Sequence, residues 1–491
     1  MLSRYMACGI ATRLTVGLWL VLPAIGPGVR SASGELELDL TAAIRYAQKQ
    51  NRELVRTARL LKRGEIGLKN ADLAFATRVK PQGSVTAAED GNRSSYGLQM
   101  SKSLIWGSEL SVDGTMSRTE YDSAGDELET LNPNRASVAV RLTQPLLRNF
   151  GRLVNGEELA QANSALRRVR RQYEEQKASL VVSIVSTFET LIRLEREIEA
   201  DEAQVGRMDK LYRLTKARER QGHGTRVDSL RVELQLGQTK LRVANSRERL
   251  SSTQREFMEL LGFAPDTKFS LHPPPLLKVD IPSPKEAVAI ALRNRLDYAQ
   301  VRDDHEDSKR AVRIARRNLY PDIALTGSYE RFGEGETASE AANLDEEDWS
   351  VGLVASTDFN RRIERLGYAD ARLNERSNRD AVEIKELSIA REVQQGIIAF
   401  RRAQTSVRIA ARNLKLADAR VKLARRMFEM GRGDNFSVTD AEEAYARARN
   451  EMLNSTSDVS INGYRFLRSL GTLTEFPDEL KARRGGLTAT R

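Results

Sequence analysis

Residues Ala136–Arg152 read ASVAVRLTQPLLRNFGR. Val138, Val140 and Leu142 alternate with Ala139, Arg141 and Thr143, the two-residue period of a strand with one apolar and one polar face. Pro145 has no N–H to give to a ladder and ends the strand. Beyond Gly151 come about 70 residues of helical pattern without a proline. A strand therefore runs directly into a very long helix, and this junction organises the rest of the chain.

Upstream, Glu37 to about Ala76 reads as helix, with Ala43, Ile44, Ala47, Leu54, Ala58 and Leu61 at helical spacing. A zone rich in strand patterns and turn residues follows to Thr143. It includes SSYGLQMSKSL and GSELSVDGTMSRTEY, which look like extra strands between Ser95 and Tyr121. Either these join the main sheet or they form an outer hairpin. Downstream, the first long helix (about 153–220) breaks at Gly222-His223-Gly224, and a second runs from about Val227 to Leu261. A linker containing six prolines spans Phe263–Pro284.

The plan then repeats. Ala287–Asn294 resembles Ala43–Gln50, Leu319–Thr326 resembles Val79–Thr86, and Val351–Val354 stands where Ala139–Leu142 stood. Another proline-free helix reaches Met430, breaks at Gly431-Arg432-Gly433, and a return helix closes at Leu470-Gly471 as the first closed at Leu261-Gly262. The offsets between copies are 244 and 240 early, then 212 and 209. The drop of 28 falls between the paired strands, so the first copy is expected to carry the longer loop. Agreement in order and length across all these pieces marks an internal duplication.

Composition sets the class. Charged residues are 30 % and aromatics 6 %, which suits long solvated helices. The net charge of +10 is interleaved with acids along the helices and forms no basic face for nucleic acid. Arg4, Arg13 and the apolar run Leu14–Ile25 read as a secretory leader ending near Ser33. Cys8, the single cysteine, lies inside it, so the remaining chain has no disulfide or thiolate metal site. His223, His272 and His305 are dispersed, and no hydrolase, P-loop or dinucleotide motif is present. No enzyme and no cofactor are expected. Asp345–Asp348 reads as a solvated loop between two strands.

A helix of about 70 residues is about 105 Å long, so these helices must pack lengthwise as coiled coils. Two to four strands per repeat cannot close a barrel, and lipid does not tolerate open edges. Strands from several subunits would have to form one closed sheet. Trp106 and Trp349 lie in or beside strands, as an aromatic membrane girdle requires.

From Leu38 to about Leu473 the chain resembles the TolC-type outer-membrane efflux proteins. The resemblance rests on Leu142–Gly151, the double repeat, the Gly-x-Gly turns followed by Val227-Asp228 or Thr439-Asp440-Ala441, and Ser469–Leu473. It implies a mainly α two-repeat protomer of long coiled-coil helices, whose strands join a shared trimeric β-barrel in the outer membrane above a periplasmic α-helical tunnel. The expected division is a signal peptide (1–33), a first repeat (34–272, strands about 82–143, helix pair about 150–262), a proline-rich linker (273–284), a second repeat (285–475, strands about 322–357, helix pair about 360–470) and a tail (476–491).

Implied partners are two further copies of the chain, a periplasmic adaptor, an inner-membrane transporter and outer-membrane lipid. Asp440 and Glu443 match the family's periplasmic gate, and Gly222, His223, Gly224, Gly431, Arg432 and Gly433 its adaptor-contact turns. Gln144 and Pro145 would form the barrel-to-tunnel transition, matched in the second repeat by Thr357 and Asp358. There Asp358 is expected to face the lumen or cap the next helix. The resulting function is a passive exit duct for efflux or type I secretion. The competing reading is a secreted or periplasmic coiled-coil structural protein without a pore.

Overall fold

The computed structural model describes residues 36–88, 91–121, 133–273 and 280–473. The expected leader and tail lie outside the described residues, as does part of the proline-rich linker.

The first helical segment is two helices, preceded by a strand. β1 (Leu36–Leu38) leads into α1 (Leu40–Gln50) and α2 (Arg52–Asp72). Asn51 divides them: its side-chain oxygen accepts from Leu54 N at 3.0 Å and caps α2, while its amide donates to Leu260 O at 2.9 Å. β2 (Arg78–Ala88), β3 (Gly91–Ser103), β4 (Glu109–Tyr121) and β5 (Asn134–Pro145) follow, then a single turn, α3 (Arg152–Asn155). The long helix α4 (Glu157–Arg220) and its return helix α5 (Arg226–Leu261) complete the first repeat. β6 (Phe269–Leu271) lies parallel to β1 and ties the repeat's end to its start. Strands this short carry no readable period in a sequence.

The second repeat comprises α6 (Pro284–Asn294), α7 (Leu296–Arg317), β7 (Asp322–Gly335), α8 (Ala338–Ala341), β8 (Glu346–Ser356), α9 (Arg362–Glu429) and α10 (Asn435–Ser469). Pro284 opens α6 at a position where its missing N–H costs nothing, and Ser283 and Glu286 form a capping box.

α4 and α9, with 64 and 68 residues, are about 96 and 102 Å long. Each carries two shorter partners: α2 and α5 lie along α4, and α7 and α10 along α9. α4 buries the expected stripe of Leu180, Ile184, Phe188, Leu191, Ile192, Leu194 and Ile198. Phe188 meets Phe257 of α5 edge-on, centroids 5.9 Å apart. α9 buries Ile389, Val393, Ile397 and Phe400, and Phe400 stacks on Phe466 of α10 at 6.3 Å. α10 also packs against α4, which joins the repeats below the sheet.

The main sheet has six strands in the order β2-β3-β4-β5-β7-β8, every neighbour antiparallel. The 28-residue excess of the first repeat is therefore not a longer loop. It is largely the β3–β4 hairpin, inserted into the sheet between β2 and β5. The acidic run is also more than loop, because Glu346, Glu347 and Asp348 open β8.

Candidate functional site

The sheet has two chemically distinct faces, set by register. Val140 lies opposite Val112 and Tyr329; Val112 faces Met100, and Tyr329 faces Trp349. Leu142 and Val138 share this side, as do Leu98, Leu110, Leu325, Val351 and Leu353. These apolar side chains are exposed or half-buried in the single chain. The opposite face carries Gln99, Asp113, Arg141, Glu330 and Asp348 with many Ser and Thr residues. An apolar band backed by a polar face is the pattern of a barrel wall between lipid and water. The two tryptophans sit at different heights on this wall. Trp349 is within β8, on the apolar face, whereas Trp106 lies in the turn between β3 and β4, where its carbonyl accepts from Gly151 N at 2.8 Å.

The sheet hands over to helix at two places. At the first, Gln144 is fastened on both sides: its oxygen accepts from Ser108 Oγ, and its amide donates to Pro145 O at 2.8 Å. Pro145 ends β5, and Leu146 N crosses to Ile323 O at 2.7 Å. Gly151 then turns the chain with φ +92° and ψ 165°, a conformation open essentially to glycine alone. Asn155 locks the turn by donating to Asn149 O (2.7 Å) and Gly151 O (3.1 Å).

The second handover, Thr357–Arg361, has neither proline nor glycine. Arg361 adopts φ +42° and is the N-cap of α9, and it makes no side-chain cap bond. Its guanidinium donates to Leu319 O, Thr357 Oγ1 and Asp358 O. Of the two roles expected for Asp358, capping α9 is excluded, because Arg361 is the N-cap. The Asp358 carboxylate accepts from Asn360 N at 3.0 Å and shapes the turn.

At the far end of the helices, the two Gly-x-Gly turns are near copies. Gly222 (φ +76°) and Gly431 (φ +72°) follow the ends of α4 and α9. The next residues, His223 and Arg432, return their N–H groups to Arg218 O and Met427 O at 2.9 Å each, which satisfies the last helical carbonyls. His223 and Arg432 are exposed, and Gly224 and Gly433 complete the turns half-buried. The turns are laced together within the chain. Asn435 Nδ2 donates to Asp228 O at 2.9 Å, Arg218 lies 4.3 Å over the Phe428 ring, and Arg231 lies 5.3 Å over Phe436.

Asp440 and Glu443 stand one turn apart on α10, both partly exposed. Each already has a cation: Asp440 pairs with Arg420, and Glu443 with Arg447 at 2.9 Å. The acid between them was missed by sequence reading. Glu442 is 1 % exposed and lies between Arg207 of α4, at 3.2 Å, and Arg425 of α9. Burial lowers the pKa of both guanidiniums, and repulsion from Arg207 adds to the effect at Arg425. Further up the same seam, Asp201 is fully buried and pairs with Arg449. The amide of Gln204, also fully buried, finds no partner. The only sequence signal for this layer is that Asp201, Gln204 and Arg207 fall at helical spacing on the stripe that Leu191 and Ile198 begin.

This arrangement of a two-faced sheet on paired 100-Å helices has known relatives. Residues 287–472 match the family model described as outer membrane efflux protein. The match falls on the second repeat, and the likeness there is to proteins of the outer membrane. No curated protein matches the sequence.

Among solved structures, the chain superposes on the outer-membrane channel OprN with a TM-score of 0.69 at 16% identity, covering 89% of this chain and 91% of that one. It superposes on VceC of Vibrio cholerae with a TM-score of 0.67 at 15% identity, covering 88% and 96%. The outer membrane channel CmeC of Campylobacter jejuni gives 0.69 at 14% identity, covering 92% and 89%. These likenesses establish the fold: long paired helices carrying a strand-bearing end, as in those outer-membrane channels.

Proposed function

We propose that three copies of this chain close into one channel, a passive exit duct of a tripartite efflux or type I secretion system. The observation that carries the proposal is the six-stranded sheet with one apolar face and two open edges, β2 and β8, standing on helices about 100 Å long. An open-edged apolar sheet is untenable in lipid, and closure by identical copies removes the edges. Membrane fractionation followed by imaging of the detergent-extracted particle tests it. A long three-fold cylinder is expected, and a soluble rod without a barrel would refute it.

In this reading the turns at Gly222–Gly224 and Gly431–Gly433 face a periplasmic adaptor, which links the duct to an inner-membrane transporter. Their exposed His223 and Arg432 side chains and laced backbones suit a docking tip. Asp440 and Glu443 would form two stacked rings at the tunnel mouth. Their pairing with Arg420 and Arg447 supports a ring whose charge is partly balanced. The double variant Asp440→Asn/Glu443→Gln should lower cation selectivity in planar bilayers, and unchanged selectivity would remove the gate assignment.

A further inference from the structure

The β3–β4 hairpin is part of the wall and not a decoration on it. Its two strands of 13 residues each are paired with one another over their whole length, and β3 pairs with β2 and β4 with β5 over most of theirs. Its side chains obey the sidedness of the sheet: Tyr96, Leu98, Met100, Leu110 and Val112 on the apolar side, and Ser95, Gln99, Ser111 and Thr115 on the polar side. Its turn is anchored at the base of the wall, where Trp106 O meets Gly151 N and Ser108 meets Gln144. A Cβ at Gly107 would come within 2.6 Å of Asn149 O, so the turn sits flush on the handover to α3. The hairpin therefore runs the height of the sheet.

Resting on the threefold reading above, we infer that the barrel of this protein is closed by eighteen strands, six from each copy, and that its cargo class is large hydrated solutes. Six is even, so β8 descends beside the ascending β2 of the next copy and the closed sheet stays antiparallel throughout. At about 4.8 Å between strands and a tilt of about 40°, eighteen strands enclose a backbone diameter of about 36 Å, against about 24 Å for the twelve that remain without the hairpin. Twelve tunnel helices at about 9–10 Å spacing enclose a similar diameter of roughly 36 Å. Wall and tunnel then meet without a step. The hairpin's lumen face is mostly Ser, Thr and Gly, whose side chains project little into the bore and keep it wet.

The test uses the full chain with Cys8→Ser, leaving no native thiol, and single cysteines at Ser95, Gln99, Leu98 or Ser328. Imaging of the extracted particle should count eighteen wall strands. In intact cells, a polymer-bearing maleimide about 20 Å across, sized between the bores of about 14 and about 26 Å left when side chains take about 10 Å off the backbone diameters for twelve and eighteen strands, should label Ser95→Cys, Gln99→Cys and Ser328→Cys and leave Leu98→Cys in lipid. Removing residues 91–121 should slow polymer labelling of Ser328→Cys at least tenfold and leave small-maleimide labelling unchanged. A three-fold particle with twelve wall strands, or equal labelling at Gln99→Cys and Leu98→Cys, would overturn the inference while leaving the channel intact. A particle without threefold symmetry would overturn both. The point variants decide the matter even where the deletion fails to fold.

Discussion

The two handovers from sheet to helix solve one problem with different chemistry. The first is written into the backbone: Pro145 withholds a donor, and Gly151 supplies a conformation other residues resist. The second is written into a side chain: Arg361 bends the chain at positive φ, and its guanidinium gathers the carbonyls around it. The contrast continues downward. The first repeat has a dense apolar stripe on α4, whereas α7 is strapped across α4 and α9 by ion pairs of Arg171 with Asp303 and of Lys385 with Asp297. A duplicated architecture thus preserves its geometry while the forces that hold it diverge.

The joint between the repeats should be the most sensitive point. Glu442→Gln leaves Arg207 and Arg425, each half-buried, facing one another without their shared counter-ion, at a cost that solvent screening holds to about 2–3 kcal/mol, below that of a fully buried group. Thermal denaturation should show a far larger loss than for Glu443→Gln, which loses an exposed pair worth about 0–1 kcal/mol. Equal losses would mean that the halves are not joined there.

The handovers come next. Gly151→Ala forces an alanine to φ +92° and should cost about 1–3 kcal/mol. Arg361→Gly relieves its local strain but removes the guanidinium bonds, each worth about 1.5–3 kcal/mol when charged, so it should also destabilise. If Arg361→Gly were stabilising by denaturant titration, the backbone would govern both handovers and the contrast would fail.

Acid should act chiefly on the second repeat. At Asp297, burial pushes the carboxyl up, but hydrogen bonds from Arg295 and Lys385 outweigh it and hold the group well below the carboxylate range. Asp303 is lowered against the same cost by Arg171 and Arg167. Their folded values lie below the unfolded value of about 3.9. Their contribution is therefore complete above that pH and lost as pH falls through the folded values. Stability is expected to be level from neutral pH to about 5 and to decline below about 4, with a shallower acid limb in Asp297→Asn. The smallest effect belongs to Pro145→Ala, which restores a donor where β5 already ends and should cost less than about 1 kcal/mol by the same titration.

Much of the architecture was legible because its periods are long and clean. The alternation at Val138–Leu142 and the stripe Leu180–Ile198 each lie on one segment, and each names its own partner face. Glu442 was not legible: Asp440, Glu442 and Glu443 look alike on paper, and only the packing of α10 against α4 and α9 buries the middle one. The capping role considered for Asp358 fails for a related reason, since Arg361 is the residue that occupies the cap position.

By itself the sequence determined the element types, the duplication, the handover points and the wall's two-sidedness, because local periodicity and turn chemistry act within a few residues. Tertiary structure alone decided where the β3–β4 hairpin goes, which charges are buried, and how α7 and α10 bridge the long helices. Those outcomes depend on contacts between residues far apart in the chain, such as Arg207 with Glu442 or Arg171 with Asp303, and no local pattern specifies which distant surface a charged side chain will meet.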